Sequence, residues 1–471
     1  MRKCLMISIL LIVILVFAGL AYTGDKAEVR FPETNAGKRA ESYFSAFNSD
    51  NENDMRTYLE QNFAPPKLKE RLIEERMVVY RQLKSDLTTL EPVKILKESR
   101  DAIKLVARSA KESWLELSFE FEKDEPNKLL GIRIMLMAEP PDLDAPTTPL
   151  TEAEMLKELG NYLDEMSKED KFSGVVLLAK EEKPIFSKAY GLASKEYDVP
   201  NRVDTRFNLG SINKYLTRIA IEQLEGKSAL KLDDPIGKYL PDYPNNEAKE
   251  KVTIQQLLDM ASGIGDFFNE KYQATPKDRI RTLSDYLLLF GADSLLFEPG
   301  TSRQYSNGGY IVLGLIIEKA SGQTYFDYVR EHIYKIAGME NTSHLMADVP
   351  IPNVASGYTE NWDGNEHPGK PRRNNIYTRP ACGSSAGGGY STVDDLLKLV
   401  TALKANQLSA PKVSEEINGS GIAIAGGAPG INSQVEINPK TGYTIIVMSN
   451  YDPPTAGTVA RKINSLLERL K

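Results

Sequence analysis

Thirteen consecutive residues, 138–150, read AEPPDLDAPTTPL and hold Pro140, Pro141, Pro146 and Pro149. Proline at that density cannot continue a helix or sit in the middle of a sheet, because each ring removes an N–H donor and fixes φ. The chain must therefore fold as separate bodies on either side of this stretch. The spacing predicts a small domain over residues 34–137, a linker over 138–150 and a larger domain over 151–471.

Within the small domain, residues 36–88 have helical periodicity, with Ala40, Tyr43, Phe44 and Phe47 on one face. Residues 92–137 read as strands. The pattern is clearest at 114–122, where Leu115, Leu117, Phe119 and Phe121 alternate with Glu116, Ser118, Glu120 and Glu122. Helices first and an antiparallel sheet afterwards is an α+β order, and over about 100 residues it loosely resembles the cone-shaped NTF2-like (SnoaL-like) fold. With no histidine and no acid–base pair, this domain reads as a binding, packing or dimerisation module. The larger domain is also α+β. A helix over about 151–168 precedes the hairpin 175–190, a long helical middle follows, and strands return at 421–427, 432–437 and 443–449 before a closing helix. A sheet built from both ends of the domain, with helices inserted between them, is expected.

Charge and composition remove several function classes. Lys plus Arg number 58 against 65 Asp plus Glu, a net charge of −7, which gives nucleic acid nothing to bind. The two cysteines are Cys4 and Cys382, and His332, His344 and His367 lack metal-ligand spacing. No metal, no cofactor and no Ser-His-Asp triad is expected. Arg2 and Lys3 precede a charge-free run from Cys4 to Ala21 ending in Gly19-Leu20-Ala21, so residues 1–21 read as an export signal or an uncleaved N-terminal membrane anchor. Either way, the rest of the chain is expected outside the cytoplasm. No pattern sets an oligomeric state.

The chemistry-bearing segment is Ser211-Ile212-Asn213-Lys214, where the turn Phe207–Gly210 gives way to a helical stretch. Residues i and i+3 share a helix face, so the Lys214 amine can reach the Ser211 hydroxyl. In a poorly solvated site the lysine loses its proton readily and can act as a base. Ser228–Lys231 and Ser409–Lys412 have the same spacing but read as surface loops. Tyr305-Ser306-Asn307 is a second element. A loop tyrosine beside an ammonium is expected to have its phenol pKa lowered and to carry a proton to a leaving group, while Asn307 can orient a substrate amide. In a third element, Ile424-Ala425-Gly426-Gly427-Ala428-Pro429-Gly430, a strand is expected to end in a glycine-rich turn. Gly426 and Gly427 would let a substrate lie along the strand edge, and a backbone N–H there can complete an oxyanion hole with that of Ser211. A hairpin turn needing glycine for its backbone angles is the competing reading.

These elements, with GGGYSTVDDL at 387–396, Leu232–Pro235, Thr253–Gly265 and Gly338–Thr342, occur in an order that resembles the serine β-lactamase and penicillin-binding protein superfamily, on the side of class C β-lactamases, D-Ala-D-Ala carboxypeptidases and related esterases. The likeness covers about 160–470. It implies Ser211 as acylated nucleophile, Lys214 as its base, Tyr305 as second proton carrier, Asn307 as a substrate-orienting group and Gly427 as donor of the other oxyanion N–H. One departure stands out: most relatives carry Lys or His where this chain has Ile424. Lys440-Thr441-Gly442 lies sixteen residues later and reads as a hairpin turn. Without a cation at 424 the site binds a substrate carboxylate less well, which points to esters or small amides. Lys370, Arg372 and Arg373 are the nearest substitutes in sequence, though a solvated loop is the plainer reading. The expected activity is an exported serine hydrolase acting on a small ester, amide or peptide. Two other readings stay open: a D-Ala-D-Ala carboxypeptidase or weak β-lactamase, and a catalytically silent receptor of the same fold.

Overall fold

The computed structural model describes residues 29–137, 148–362, 367 and 369–470. Residues 1–21, read from the sequence as an export signal or anchor, and residues 138–147 of the Pro-rich stretch lie outside the described residues. Among the described residues no helix is long and apolar enough to cross a membrane. The chain divides into two compact units, residues 1–146 and 147–471.

In the first unit four helices, Asn35–Asn48, Glu52–Asn62, Pro65–Glu70 and Ile73–Leu87, precede four strands, Leu90–Glu98, Ala102–Ser109, Trp114–Phe121 and Leu129–Met137. The strands form an antiparallel meander in sequence order. The alternation in Trp114–Phe121 does what the period-2 pattern requires. Leu115, Leu117, Phe119 and Phe121 are buried against Tyr43, Phe44 and Phe47 of the first helix, while Glu116 and Glu120 remain on the outer face.

The second unit is built on a five-stranded antiparallel sheet in the order Ile422–Ala428, Ile431–Asn438, Tyr443–Ser449, Gly174–Lys180, Lys183–Tyr190. The interior strand Gly174–Lys180 carries the run VVLLA because both its faces are covered. Val176 and Leu178 pack with Glu152–Lys168 and Thr455–Leu467 on one side, and Val175, Leu177 and Ala179 face the helical core on the other. Thr148–Leu150, the end of the Pro-rich stretch, lies along the chain's C-terminus, where Leu150 N donates to Arg469 O at 2.7 Å. The helix Asn213–Gly226 is buried on nearly every side, and Asn307–Ser321 packs beside it. Sequence patches far apart act as staples around these helices. The buried Asp395 carboxylate accepts from Asn341 N at 2.7 Å and from Thr342 Oγ1 at 2.9 Å, tying Gly338–Thr342 to the STVDDL segment.

Ile446 lies at the junction of sheet and helical core with no exposed surface. Ile446→Ala is expected to destabilise the full chain by about 2–5 kcal/mol. The measurement is the denaturant midpoint, and a change within error would show that the sheet does not hold the unit together.

Candidate active site

Ser211 lies in a single 3-10 turn, Gly210–Ile212, that runs directly into Asn213–Gly226. The preceding Phe207–Asn208 is not a free turn as the sequence suggested. It is a short strand paired with Tyr390–Ser391, which pins the entry to the serine. Asn213 turns away from Ser211 to accept from Gly389 N at 2.8 Å and to bond His344 Nε2 at 2.9 Å, anchoring the helix start to the 387–389 glycines.

One turn on, the side chain of Lys214 is sealed under the serine, only 7% exposed. Its Nζ lies 3.1 Å from Ser211 Oγ, 2.6 Å from Asn307 Oδ1 and 2.6 Å from the Ala386 carbonyl. Burial pushes the Lys214 pKa down to about 7, with the Asp266 carboxylate pulling weakly the other way. The contacts then sort themselves. A neutral amine has two N–H groups, and the two short contacts are to acceptors that can only receive them. Its lone pair is left for the third direction, toward the Ser211 hydroxyl.

Asn307 begins the helix Asn307–Ser321, with Ser306 capping it by accepting from Gly309 N at 2.8 Å. The orientation of the Asn307 amide follows from Asp266, whose Oδ2 accepts from Asn307 Nδ2 at 2.6 Å and so turns the amide oxygen toward Lys214. Both ends of the amide are thus engaged within the protein. Asp266 and Ala386 belong to this site and were not singled out from the sequence, because an isolated acidic loop residue and a backbone carbonyl carry no pattern.

Tyr305 is 55% exposed, and its phenol donates to Ser211 Oγ at 2.7 Å. The expectation that a neighbouring ammonium lowers its pKa is overturned. Burial raises it, the bond to Ser211 works against that, and Asp266 adds to the rise. The geometric reason is that Lys214 Nζ sits over the face of the Tyr305 ring, 4.8 Å from its centre, and the amine sheds its charge readily. Tyr305 therefore holds a proton it can give.

A second correction concerns the glycines. Gly426 and Gly427 lie inside the edge strand Ile422–Ala428, in register with Ser433 and Asn432, and the turn comes afterwards at Pro429–Gly430. Their purpose is close approach. A Cβ on Gly426 would lie 1.9 Å from Leu209 O and 2.9 Å from Ser211 N, and one on Gly210 would lie 2.8 Å from Gly427 N. Backbone meets backbone here, which brings the sheet edge against the turn that carries the serine. Ile424, two residues back, is half-buried and packs against the helical core.

A cavity of about 580 Å³ opens on Ser211, Tyr305 and Asn307. One wall is the strand segment Ala425–Pro429, and another is aromatic, with Phe267, Phe268, Tyr272 and Tyr286. The decoys stay apart: Ser228 and Ser409 are exposed turn residues with φ of 57° and 52°, and Tyr243, from the other Tyr-x-Asn match, is a core residue.

A serine hydroxyl between a desolvated amine and a phenol, at the helical end of an antiparallel sheet, defines a class of acyl-transfer serine enzyme. Residues 159–468 match the family described as Beta-lactamase, and the chain belongs to that family of serine hydrolases. It is similar to the protein PbpX of Bacillus subtilis (strain 168), 29% identical over 329 residues that cover 66% of this chain and 78% of that one. It is also similar to Esterase EstB of Burkholderia gladioli, 26% identical over 343 residues covering 67% and 85%. Among solved structures it is similar to a penicillin binding protein from Bacillus halodurans, with a TM-score of 0.58, 30% identity, and coverage of 65% of this chain and 99% of that one.

The rate at which a fluorophosphonate labels Ser211 is expected to rise with pH through about 7, as Lys214 loses its proton, and to level off above. Asp266→Asn is expected to move that rise to lower pH, because the carboxylate that favours the ammonium is gone. A midpoint that stays in place in the variant would remove Asp266 from control of Lys214.

Proposed function

We propose that this protein is an exported serine hydrolase that cleaves a small ester or amide through an acyl-enzyme on Ser211. The observation that carries the reading is the position of Ser211 Oγ, 3.1 Å from a buried amine on one side and 2.7 Å from a phenol on the other.

In the first half-reaction the Ser211 proton passes to Lys214 Nζ as Oγ bonds to the substrate carbonyl carbon. The carbonyl electron pair moves onto oxygen, where the backbone N–H groups of Ser211 and Gly427 receive it. When the tetrahedral adduct collapses, the bond to the leaving alcohol or amine breaks and Tyr305 hands over its phenol proton. The ammonium of Lys214 then returns a proton to Tyr305. Water repeats the sequence on the acyl-enzyme and releases the acid. Asn307, bound at both ends, serves in this scheme by presenting its oxygen to Lys214, and any bond to a substrate amide would require it to exchange a partner.

Esterase EstB supports the ester reading, as does Ile424, which leaves the strand without the cation that a terminal carboxylate would seek. The penicillin binding protein from Bacillus halodurans supports the second reading, a D-Ala peptidase. The reading of residues 1–21 as an export signal or an uncleaved membrane anchor supports a reaction outside the cytoplasm in either case. The first unit reads as a binding, packing or dimerisation module, and its loose resemblance to the NTF2-like fold rests on its order of elements.

Intact-mass spectrometry after parallel exposure to a fluorophosphonate and to a penicillin is the test. One adduct is expected with the fluorophosphonate; Ser211→Ala abolishes it and Ser228→Ala leaves it. A penicillin adduct on the same serine would favour the peptidase reading. No adduct from either reagent would end the assignment.

A further inference from the structure

Among the described residues, one residue lining the Ser211 cavity carries a formal charge, and it is Arg379. The cations that sequence proximity suggested do not take that place. Arg372 is held by Asp170 at 3.2 Å and Glu360 at 3.4 Å and lies over the Tyr451 ring, while Arg373 lies over Trp362. Neither they nor Lys370 line the cavity.

Arg379 is half-buried, and its Nη1 donates to the Tyr390 hydroxyl at 2.9 Å. Among the described residues no carboxylate lies within ion-pair distance of it. A partly desolvated guanidinium whose protein partner is a neutral phenol keeps most of its fork of donors for something else. Its loop is also rigidly hung. Tyr272 Oη donates to Thr378 O at 3.0 Å, Tyr286 Oη donates to Cys382 O at 2.7 Å, and Ala381 N donates to Lys277 O at 2.9 Å. The aromatic wall therefore does two things: it lines the cavity and fixes the backbone on both sides of Arg379.

We infer that Arg379 is an anion-binding residue of this active site, selecting substrates that carry a carboxylate on the part lying in the cavity. The assignment rests on the acyl-enzyme reading above and refines its substrate class. The cation missing from position 424 on the sheet edge is replaced by one from the opposite loop, so the substrate's anionic group is held at a different place relative to Ser211. A planar fork suits a carboxylate through paired N–H···O bonds.

The test uses p-nitrophenyl monoesters of succinate, glutarate and adipate beside neutral p-nitrophenyl esters of matched chain length, with acylation read as the burst of p-nitrophenolate. The full chain is expected to prefer the acidic member of at least one pair, with an optimum chain length that reads the distance from Ser211 to the guanidinium. Arg379→Gln is expected to lower that acidic-to-neutral ratio about tenfold or more, and Arg379→Lys to restore part of it. A ratio near one in the unaltered chain, or one unchanged in Arg379→Gln, would overturn the assignment while leaving the acyl-enzyme reading intact. If no ester acylates the chain, the acyl-enzyme reading is what fails, and Arg379 is then decided by calorimetric binding of monomethyl glutarate to Ser211→Ala. Binding weakened tenfold on adding Arg379→Gln supports the anion site, and equal or absent binding removes it.

Discussion

The exclusion of water from one amine is the condition on which the rest of this site depends. Lys214 sits in the first turn of a helix that is itself buried, and its Nζ touches two acceptors and the serine. An ammonium there would have to give up hydration for contacts that do not carry a full negative charge, so the proton is loosened and the pKa falls to about 7. Asp266 acts one residue removed. Through Asn307 it sets which end of an amide meets the lysine without placing a carboxylate against it, which would restore the charge. A direct ion pair in the same place would hold the proton and leave the serine without a base.

Around that amine the fold separates chemistry from selection. The reacting groups come from the starts of two packed helices and from the edge of the sheet, elements whose positions are set by the large helical core. Beyond the strand edge, the walls come from the aromatic side chains of Phe267, Phe268, Tyr272 and Tyr286 and from the loop Thr378–Gly383, which Tyr272 and Tyr286 support. Rigid elements hold the serine, lysine and tyrosine within hydrogen-bond reach, and loops can change without disturbing them. The relatives are named as an esterase and a penicillin binding protein, which is the range this division permits.

Much of the architecture could be read from the chain alone, for reasons specific to each segment. The alternation of Trp114–Phe121 leaves one way to bury its apolar side chains, and the continuous apolar run at Val175–Ala179 requires cover on both faces. The i, i+3 spacing of Ser211 and Lys214 lies within one helical turn, so their meeting is a local event. The glycines at 426 and 427 announced themselves as unusual, but whether they served a turn or a close approach depended on what lay opposite, and Leu209 and Ser211 lie more than 200 residues upstream. The direction of the Tyr305 shift was misread for the same reason. Sequence placed a cation near the phenol; geometry put the amine over the ring face and left burial to prevail.

What the sequence determined by itself is therefore the set of local and periodic facts: two units divided by proline, the order of strands and helices, a serine with a lysine one turn on, and a tyrosine ahead of a helix. What only the tertiary structure decided is everything set by the approach of distant backbone. It brought Tyr305 to within 2.7 Å of Ser211, put Asp266 behind Asn307, and set Arg379 in the lining of a cavity whose other walls come from residues 208–211, 267–286, 305–307, 425–432 and Pro453. Periodicity encodes which face of an element is buried, whereas the identity of what it is buried against depends on packing that no short window of residues contains.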